Sequence, residues 1–412
     1  MGLVCLWGWI MSKANVDKLV QIPFTLQVVT PISIGNGTEL NPREYLYNPK
    51  DNSVIFLHEL EWHKFLNRKR VLPQYERYLQ TPAKNGKSLY EWAAETLGVH
   101  SLVEAQLGPA IRSKTKAVVK DYRNNKKRTL NSLRPCLRLV DGRVYIPGSS
   151  IKGVMRTAIL YHLLHTNNRL RQEFRQQLER SVFNNKENAR EMAKALRRLL
   201  SDIETRLLHR LDFSSISRNT IRMSDAKVSS MRGLLCSDAI AEGAVTTQVL
   251  QKVDLKLKSE SPASYLPIFR ESILRDNVFH FTVTLDKPMM DTLGITSGQQ
   301  LVDILTEYTD ALNTMLLAKF KRLHASAFAT IHDANAYIGS NTGFLHKTLL
   351  VALYDTPDEV TRIVKMILTA NKAFRKHKHY QDRDFSPRTV KATMVNGVLA
   401  LTGGVKISVE DK

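Results

Sequence analysis

The sequence predicts an α+β fold of two ferredoxin-like, RRM-like units, on three observations. Val278–Asp286 alternates at Phe279, Phe281, Val283 and Leu285, the period of a half-buried strand. Strand, helix and strand, then helix and strand, follow one another through 278–409, the βαββαβ order of that fold. The first half suits the same order, stretched by helical insertions at about 58–135 and 158–211. The expected division is a disordered leader at 1–20, a first domain at 21–275 and a second at 276–412.

With 412 residues the chain can bury a substantial core. Hydrophobic residues make up 43% and charged residues 24%, a soluble globular composition. The formal net charge of +21 favours a polyanionic partner, with nucleic acid ahead of a membrane surface. Cys5, Cys136 and Cys236 are scattered and odd in number, which argues against a disulfide framework and for a reducing cytoplasm. No metal or cofactor site is expected: no C-x-x-C, H-E-x-x-H or nucleotide-binding fingerprint occurs. The apolar decamer at 1–10 is too short to span a bilayer and reads as a disordered or mis-started leader, with Met11 beginning the native chain.

Residues 22–30 alternate at Ile22, Phe24, Leu26 and Val28, a strand, and Gly35-Asn36-Gly37 follows as a turn. The turn reads as a plain loop or as a close approach to a ligand. Short strands are expected at 44–47 and 53–57, then helices through 58–110 with breaks at Pro73, Pro82 and Gly98. Residues 112–138 carry ten Lys/Arg and one acid, Asp121. Such a block reads as a loop that is mobile until a polyanion neutralises it, or as a solvated loop that helps solubility. Lys114, Lys116, Lys120, Arg123, Lys126, Lys127 and Arg128 are its candidate RNA contacts, with Tyr122 as a stacking group. A hairpin about Asp141-Gly142 leads into Pro147-Gly148-Ser149-Ser150-Ile151-Lys152-Gly153-Val154-Met155-Arg156. This run reads as a tight turn into a helix N-capped by Ser149 or Ser150. Ile151, Val154, Met155, Ala158 and Ile159 form its apolar face. Gly148, Ser149, Ser150, Lys152 and Arg156 are left to seat a phosphate, or to be an ordinary strand–turn–helix join.

Residues 219–228 read as a strand ending at Asp225, a carboxylate without an acid/base partner. In the second half, Leu301, Ile304, Leu305, Tyr308, Leu312, Met315 and Leu316 mark a core helix. Gly339-Ser340-Asn341-Thr342-Gly343 with Lys347 is a second loop able to offer N–H groups to phosphate. Thr356-Pro357-Asp358-Glu359 is a capping box, and Asn396-Gly397 turns a closing hairpin of 389–395 with 398–409. His377-Lys378-His379 sits in a basic run and reads as electrostatic.

The 147–156 run resembles the PGSS-x-KG-x-x-R motif of RAMP proteins, the RNA-binding subunits of type III CRISPR effector complexes. Thr30-Pro31-Ile32-Ser33-Ile34-Gly35-Asn36-Gly37, Met223-Ser224-Asp225-Ala226, Leu266-Pro267-Ile268-Phe269-Arg270-Glu271, the 339–343 loop and the closing hairpin extend the resemblance from 22 to about 409. The combination is similar to the large head-end RAMP subunits, the fifth Csm subunits, of type III-A complexes. That resemblance implies two RRM-like domains holding the 3′ part of a CRISPR RNA beside the backbone RAMP subunit, near target RNA. It also implies support of guide maturation without catalysis. The family's target-cleaving subunit uses an Asp after the first strand; here the stretch Thr38-Glu39-Leu40-Asn41-Pro42-Arg43-Glu44 has none. The alternative is a metal-independent CRISPR-RNA endoribonuclease acting through His346 or Lys347. A basic ribosome-associated or DNA-binding protein is a third reading.

Overall fold

The computed structural model of the chain describes residues 18–82, 86–119, 130–212, 225–257 and 263–410. Its strands are β1 (Leu19–Val28), β2 (Tyr45–Asn48), β3 (Ser53–Leu57), β4 (Ile111–Val118), β5 (Leu133–Arg134), β6 (Tyr145–Ile146), β7 (Leu234–Cys236) and β8 (Ala239–Ile240). They continue as β9 (Thr247–Lys256), β10 (Ala263–Ile273), β11 (Val278–Asp286), β12 (Ala336–Tyr337), β13 (Thr389–Val395), β14 (Val398–Leu401) and β15 (Gly404–Val409). The longer helices are α1 (Glu59–Arg68), α2 (Leu72–Gln80), α3 (Leu89–Leu97), α4 (Gly148–His165), α5 (Asn168–Asn184), α6 (Ala189–Leu208), α7 (Gly298–Ala311) and α8 (Pro357–Ala370).

Two sheets organise these elements, the mixed α/β architecture expected. The first runs β12-β15-β1-β11-β8-β6, with β7 also on β11. The second runs β14-β13-β9-β4-β3-β2, with β10 on β9 and β5 on β10. In β1, Phe24, Leu26 and Val28 are fully buried, as their alternation requires. Along one edge β1 pairs antiparallel with β11, from Leu19↔Asp286 to Gln27↔Val278. Along the other it pairs with β15, from Phe24↔Val409 to Val28↔Val405. The expected boundary at 275/276 therefore does not separate the sheets; each sheet draws strands from both sides of it. Alone, the first half would expose both edges of an apolar strand.

Helix faces behave as their periodicity requires. Ile151, Met155, Ala158 and Ile159 of α4 and Leu301, Ile304, Leu305 and Tyr308 of α7 share one core with Phe24, Phe279 and Phe281. The first insertion has its own core, in which Trp62, Phe65, Tyr75, Tyr78 and Trp92 pack over Leu46 and Ile55. The helical stretch breaks as expected between α1 and α2, with Pro73 in the first turn of α2, and Gly98 ends α3. Capping boxes start α3 at Ser88/Glu91, α7 at Ser297/Gln300 and α8 at Thr356/Glu359.

Three expectations are corrected. The basic block does not begin as a mobile loop: Arg112, Lys114 and Lys116 are the outward positions of β4, whose Thr115 and Ala117 are buried. β-Branched and small residues between the cations give it the period of a strand. Lys120, Tyr122, Arg123, Lys126, Lys127 and Arg128 lie outside the described residues. Of the strand expected at 219–228, residues 219–224 also lie outside them. Ala226–Val228 is a 3-10 turn, which Asp225 caps by accepting from the Lys227 N–H at 2.9 Å. The closing hairpin turns at Asn396 (φ +49°) and Gly397 (φ +80°), but its second arm ends at Leu401. Gly403 (φ +97°) then lets the chain cross, and β15 joins the other sheet.

Glu271 on β10 is fully buried and ties these layers together. It accepts from Cys136 N–H at 2.8 Å, from Thr247 Oγ1 at 2.9 Å and from the Arg138 guanidinium. Glu271→Ala leaves the nearly buried Arg138 guanidinium without its counter-ion, though still bonded to Gly142 O, and the Cys136 N–H without a partner. It is expected to destabilise the protein by about 3–5 kcal/mol, read as a lowered urea midpoint.

Candidate nucleic-acid interface

The turn after β1, the start of α4, the C-terminal half of α7 and the end of β12 enclose a cleft of about 380 Å³. α4 begins at Gly148, one residue before the expected cap. Pro147 is its N-cap residue, so Ser149 and Ser150 lie in the first turn and face the cleft. Gly148 is buried: its N–H donates to Asp238 Oδ1 at 2.8 Å, and a Cβ there would lie 2.1 Å from Cys236 O. It serves packing and leaves Ser149, which is exposed, as the outermost residue of the helix.

The loop at 339–343 closes the other side. Gly339 has φ +99°, and a Cβ on it would stand 2.8 Å from Ser33 O. Ser340 donates its N–H to the same Ser33 carbonyl at 2.9 Å. Two turns predicted from distant segments are thus joined by backbone contact. Thr342 is buried and donates Oγ1–H to Gly339 O at 3.3 Å, and Thr402 donates to Asn341 O at 2.7 Å. Lys347 donates to Gly339 O at 2.6 Å, and partial burial of its ammonium lowers its pKa. Gly343 (φ +82°) lies against the Lys391 stem. Gly35, Asn36 and Gly37 are exposed at the rim, where Asn36 Oδ1 accepts from Thr38 N–H at 3.0 Å and Gly37 has φ +86°.

Four sequence-predicted cations stand apart from this cleft. Arg156 is paired with Glu204 at 2.6 Å and does not line the cleft. Lys152 does not line the cleft; it is half-buried, and burial lowers its pKa first, with Arg156 adding to this. Lys114 pairs with Glu104 at 2.8 Å, and Lys116 donates to Asp51 O at 3.0 Å. The α4 helix turns these two faces apart because Lys152 and Arg156 are one turn from each other and about a half-turn from Ser150 and Val154.

Sequence reasoning missed a second group of cations. Arg134↔Arg270 and Arg270↔Leu250 are paired across β5, β10 and β9, and Lys391↔Asp254 across β13 and β9. Strand parity therefore puts Arg134, Arg270, Lys252 and Lys391 on one sheet face. Burial, then Lys391, Arg270 and Arg134, push the Lys252 ammonium pKa down. Arg270 donates to Ser340 Oγ, which sets this face beside the 339–343 loop. The readable signal was the alternation Leu250, Lys252, Asp254; the register that aligns it with distant strands was not readable.

The acids after β1 are engaged. Glu39 binds Arg134 at 2.8 Å, and hydrogen bonds from Ser132 and Arg134 hold it below the usual carboxylate range. Glu44 accepts from Asn41 N–H at 2.8 Å. His346 is 2% exposed, stacks edge-on against Tyr337 and has its pKa pushed to about 4, chiefly by burial. A neutral, enclosed imidazole is a poor general acid at neutral pH. His377 is exposed, whereas His379 binds the buried Asp382 at 2.9 Å; Asp382 also holds Ser386 and Arg388. None of these residues lines the cleft.

The RAMP superfamily pattern matches residues 25–288. Among curated proteins, "CRISPR system Cms protein Csm5" of Mycobacterium tuberculosis (strain CDC 1551 / Oshkosh) is 20% identical over 395 residues, covering 93% of this chain and 96% of that protein. The Csm5 of Enterococcus italicus is 27% identical over 160 residues, covering 35% of this chain and 43% of that protein. Among solved structures, a chain of a Csm–crRNA–target RNA ternary complex from a type III-A CRISPR-Cas system aligns with TM-score 0.59 at 20% identity, covering 94% and 100% of the two chains. The crystal structure of T. onnurineus Csm5 aligns with TM-score 0.56 at 18% identity, covering 93% and 99%.

The depressed His346 pKa has a defined sign. Between the ordinary value of 6.5 and about 4, the unfolded chain takes up a proton that the folded chain refuses. This group's contribution is therefore present above pH 6.5 and is lost as pH falls toward 4. His346→Gln is expected to flatten the fall in thermal midpoint over that window, read by calorimetry at successive pH values.

Proposed function

This chain belongs to the RAMP superfamily, and we propose that it is a non-catalytic, RNA-gripping subunit of a type III-A CRISPR Csm complex. The observation that carries this reading is the backbone contact between the turn after β1 and the 339–343 loop, in which Ser33 and Ser340 lie 307 positions apart in the chain. The Ser149-Ser150 turn of α4 and the 339–343 loop flank one cleft, with Lys347 over one of them and the Arg134, Arg270, Lys252 and Lys391 face beside it. Hydroxyls at the start of α4 and cations on the neighbouring sheet face suit phosphate and ribose contacts that ignore base sequence. A guide strand needs such a hold, since its bases must stay available for pairing.

In this reading the subunit caps the backbone filament, holds the 3′ part of the CRISPR RNA and supports guide maturation in antiviral defence. It works in the cytoplasm beside the backbone RAMP subunit, with target RNA within reach. Gly35, Asn36, Gly37, Gly339, Ser340, Asn341, Thr342 and Gly343 shape the grip, and Ser149, Ser150 and Lys347 contact the strand. No helix among the described residues is long and apolar enough to cross a membrane.

The test is fluorescence anisotropy of the full chain with a labelled single-stranded RNA across a salt series. Binding is expected to exceed that of duplex DNA of equal length. Lys252→Ala, Arg270→Ala and Lys391→Ala together are expected to reduce the log–log salt slope by about 2, at roughly 0.7 per lost phosphate contact on a single strand. An equal preference for duplex DNA, or an unchanged slope, would contradict the reading.

A further inference from the structure

The cleft has an interior that phosphate contacts do not explain. Ser33 Oγ and both ring nitrogens of His346 are buried without hydrogen-bond partners, although the two residues are only 3% and 2% exposed. The Thr342 backbone favours the charged imidazole but lies outside hydrogen-bond geometry with it. Both residues line the same cleft. Buried polar atoms of this kind are rare in folded proteins, and several in one cleft point to a ligand that satisfies them. The walls between them are apolar, formed by Ile34, Val154, Tyr308 and Tyr337. The tyrosine hydroxyls are already spent on Thr348 O and Asn313 Oδ1, so their rings are what the cleft receives.

This chemistry does not match an anion. The cleft's one cation, Lys347, has its ammonium held by Gly339 O at the rim. A neutral imidazole offers one donor and one acceptor, and a hydroxyl offers both. Such a pair complements a planar edge that itself carries a donor and an acceptor. The volume, about 380 Å³, falls in the range of small-ligand sites, and the mix of apolar walls with few polar atoms is typical of them. We propose that the cleft is a nucleobase pocket: it takes one base turned out of a single-stranded RNA whose backbone crosses the two loops at its mouth, and Ser33 and His346 meet that base's edge. The inference rests on the RNA-gripping reading and adds a site at which one nucleotide of the strand is held by its base.

The experiment uses the full chain with an oligouridylate carrying 4-thiouridine at every position, photo-crosslinked and mapped by mass spectrometry. Crosslinks are expected on the segments around Ser33–Ile34, Tyr308 and Tyr337–His346. Val154→Phe, which fills the cleft, is expected to remove them and to weaken binding about tenfold, equivalent to about 1.4 kcal/mol, with an unchanged salt slope. Ser33→Ala, a smaller change that keeps the packing, is expected to weaken binding in the same direction and guards against misfolding of the first variant. Normal RNA binding with crosslinks confined to the outer loops and the cation face would overturn the pocket while leaving the grip intact. No RNA binding by the unaltered chain would instead overturn the grip itself. Loss of the cleft crosslink on adding free uridine monophosphate at micromolar concentration would mean a free nucleotide is the occupant, and would overturn the strand-borne base.

Discussion

The pairing of β1 with β11 on one edge and β15 on the other is the constraint from which the rest of the structure follows. Phe24 and Phe281 face each other across this ladder with ring centroids 5.4 Å apart. Thr30 Oγ1 accepts from Gly404 N–H at 2.8 Å where β1 ends. The first strand is therefore bound to the last one. Because β12 pairs with β15, the loop leaving β12 must come out beside the loop leaving β1. The contact of Ser340 with Ser33 is a consequence of strand order, and the cleft is a consequence of that contact. Glycine is required at 339 because the two backbones approach too closely for a Cβ.

The charge of the chain acts through its distribution more than its sum. Cations in surface pairs such as Lys114–Glu104 and Arg206–Glu173 cancel in the net charge and contribute little to stability, so the +21 excess rests on the other cations. The face with Arg134, Arg270, Lys252 and Lys391 differs, since among the described residues its four cations pair with Glu39 and Asp254 alone. Burial first, and then the neighbouring cations, lower the Lys252 pKa, so crowding of like charge there is unfavourable in the free protein. A phosphate strand would relieve that repulsion, which supports the proposed RNA-contacting role of this face.

Local features were legible in the sequence wherever they rest on short-range chemistry. The alternation in β1 and β11, the apolar stripes of α4 and α7, the Thr356/Glu359 box and the Asn396-Gly397 turn all took their expected form. Both loops that flank the cleft were also recognisable from glycine and hydroxyl residues. Pairings between distant segments were not legible, and they decide the site. Lys391 meets Asp254, 137 positions away, and also lies against Gly343, and Arg270 reaches Ser340, 70 positions away. Arg156 looked free because its partner Glu204 lies on another helix. His346 looked available for chemistry because burial leaves no mark on a single residue.

The central claim is that loops from both ends of the chain form one RNA-contacting surface. Hydrogen–deuterium exchange of the full chain, with and without single-stranded RNA, tests it most directly. The account predicts that RNA slows exchange together at 33–37, 148–151 and 339–343. Slowing at only one of these segments, or at none while RNA is bound, would contradict it.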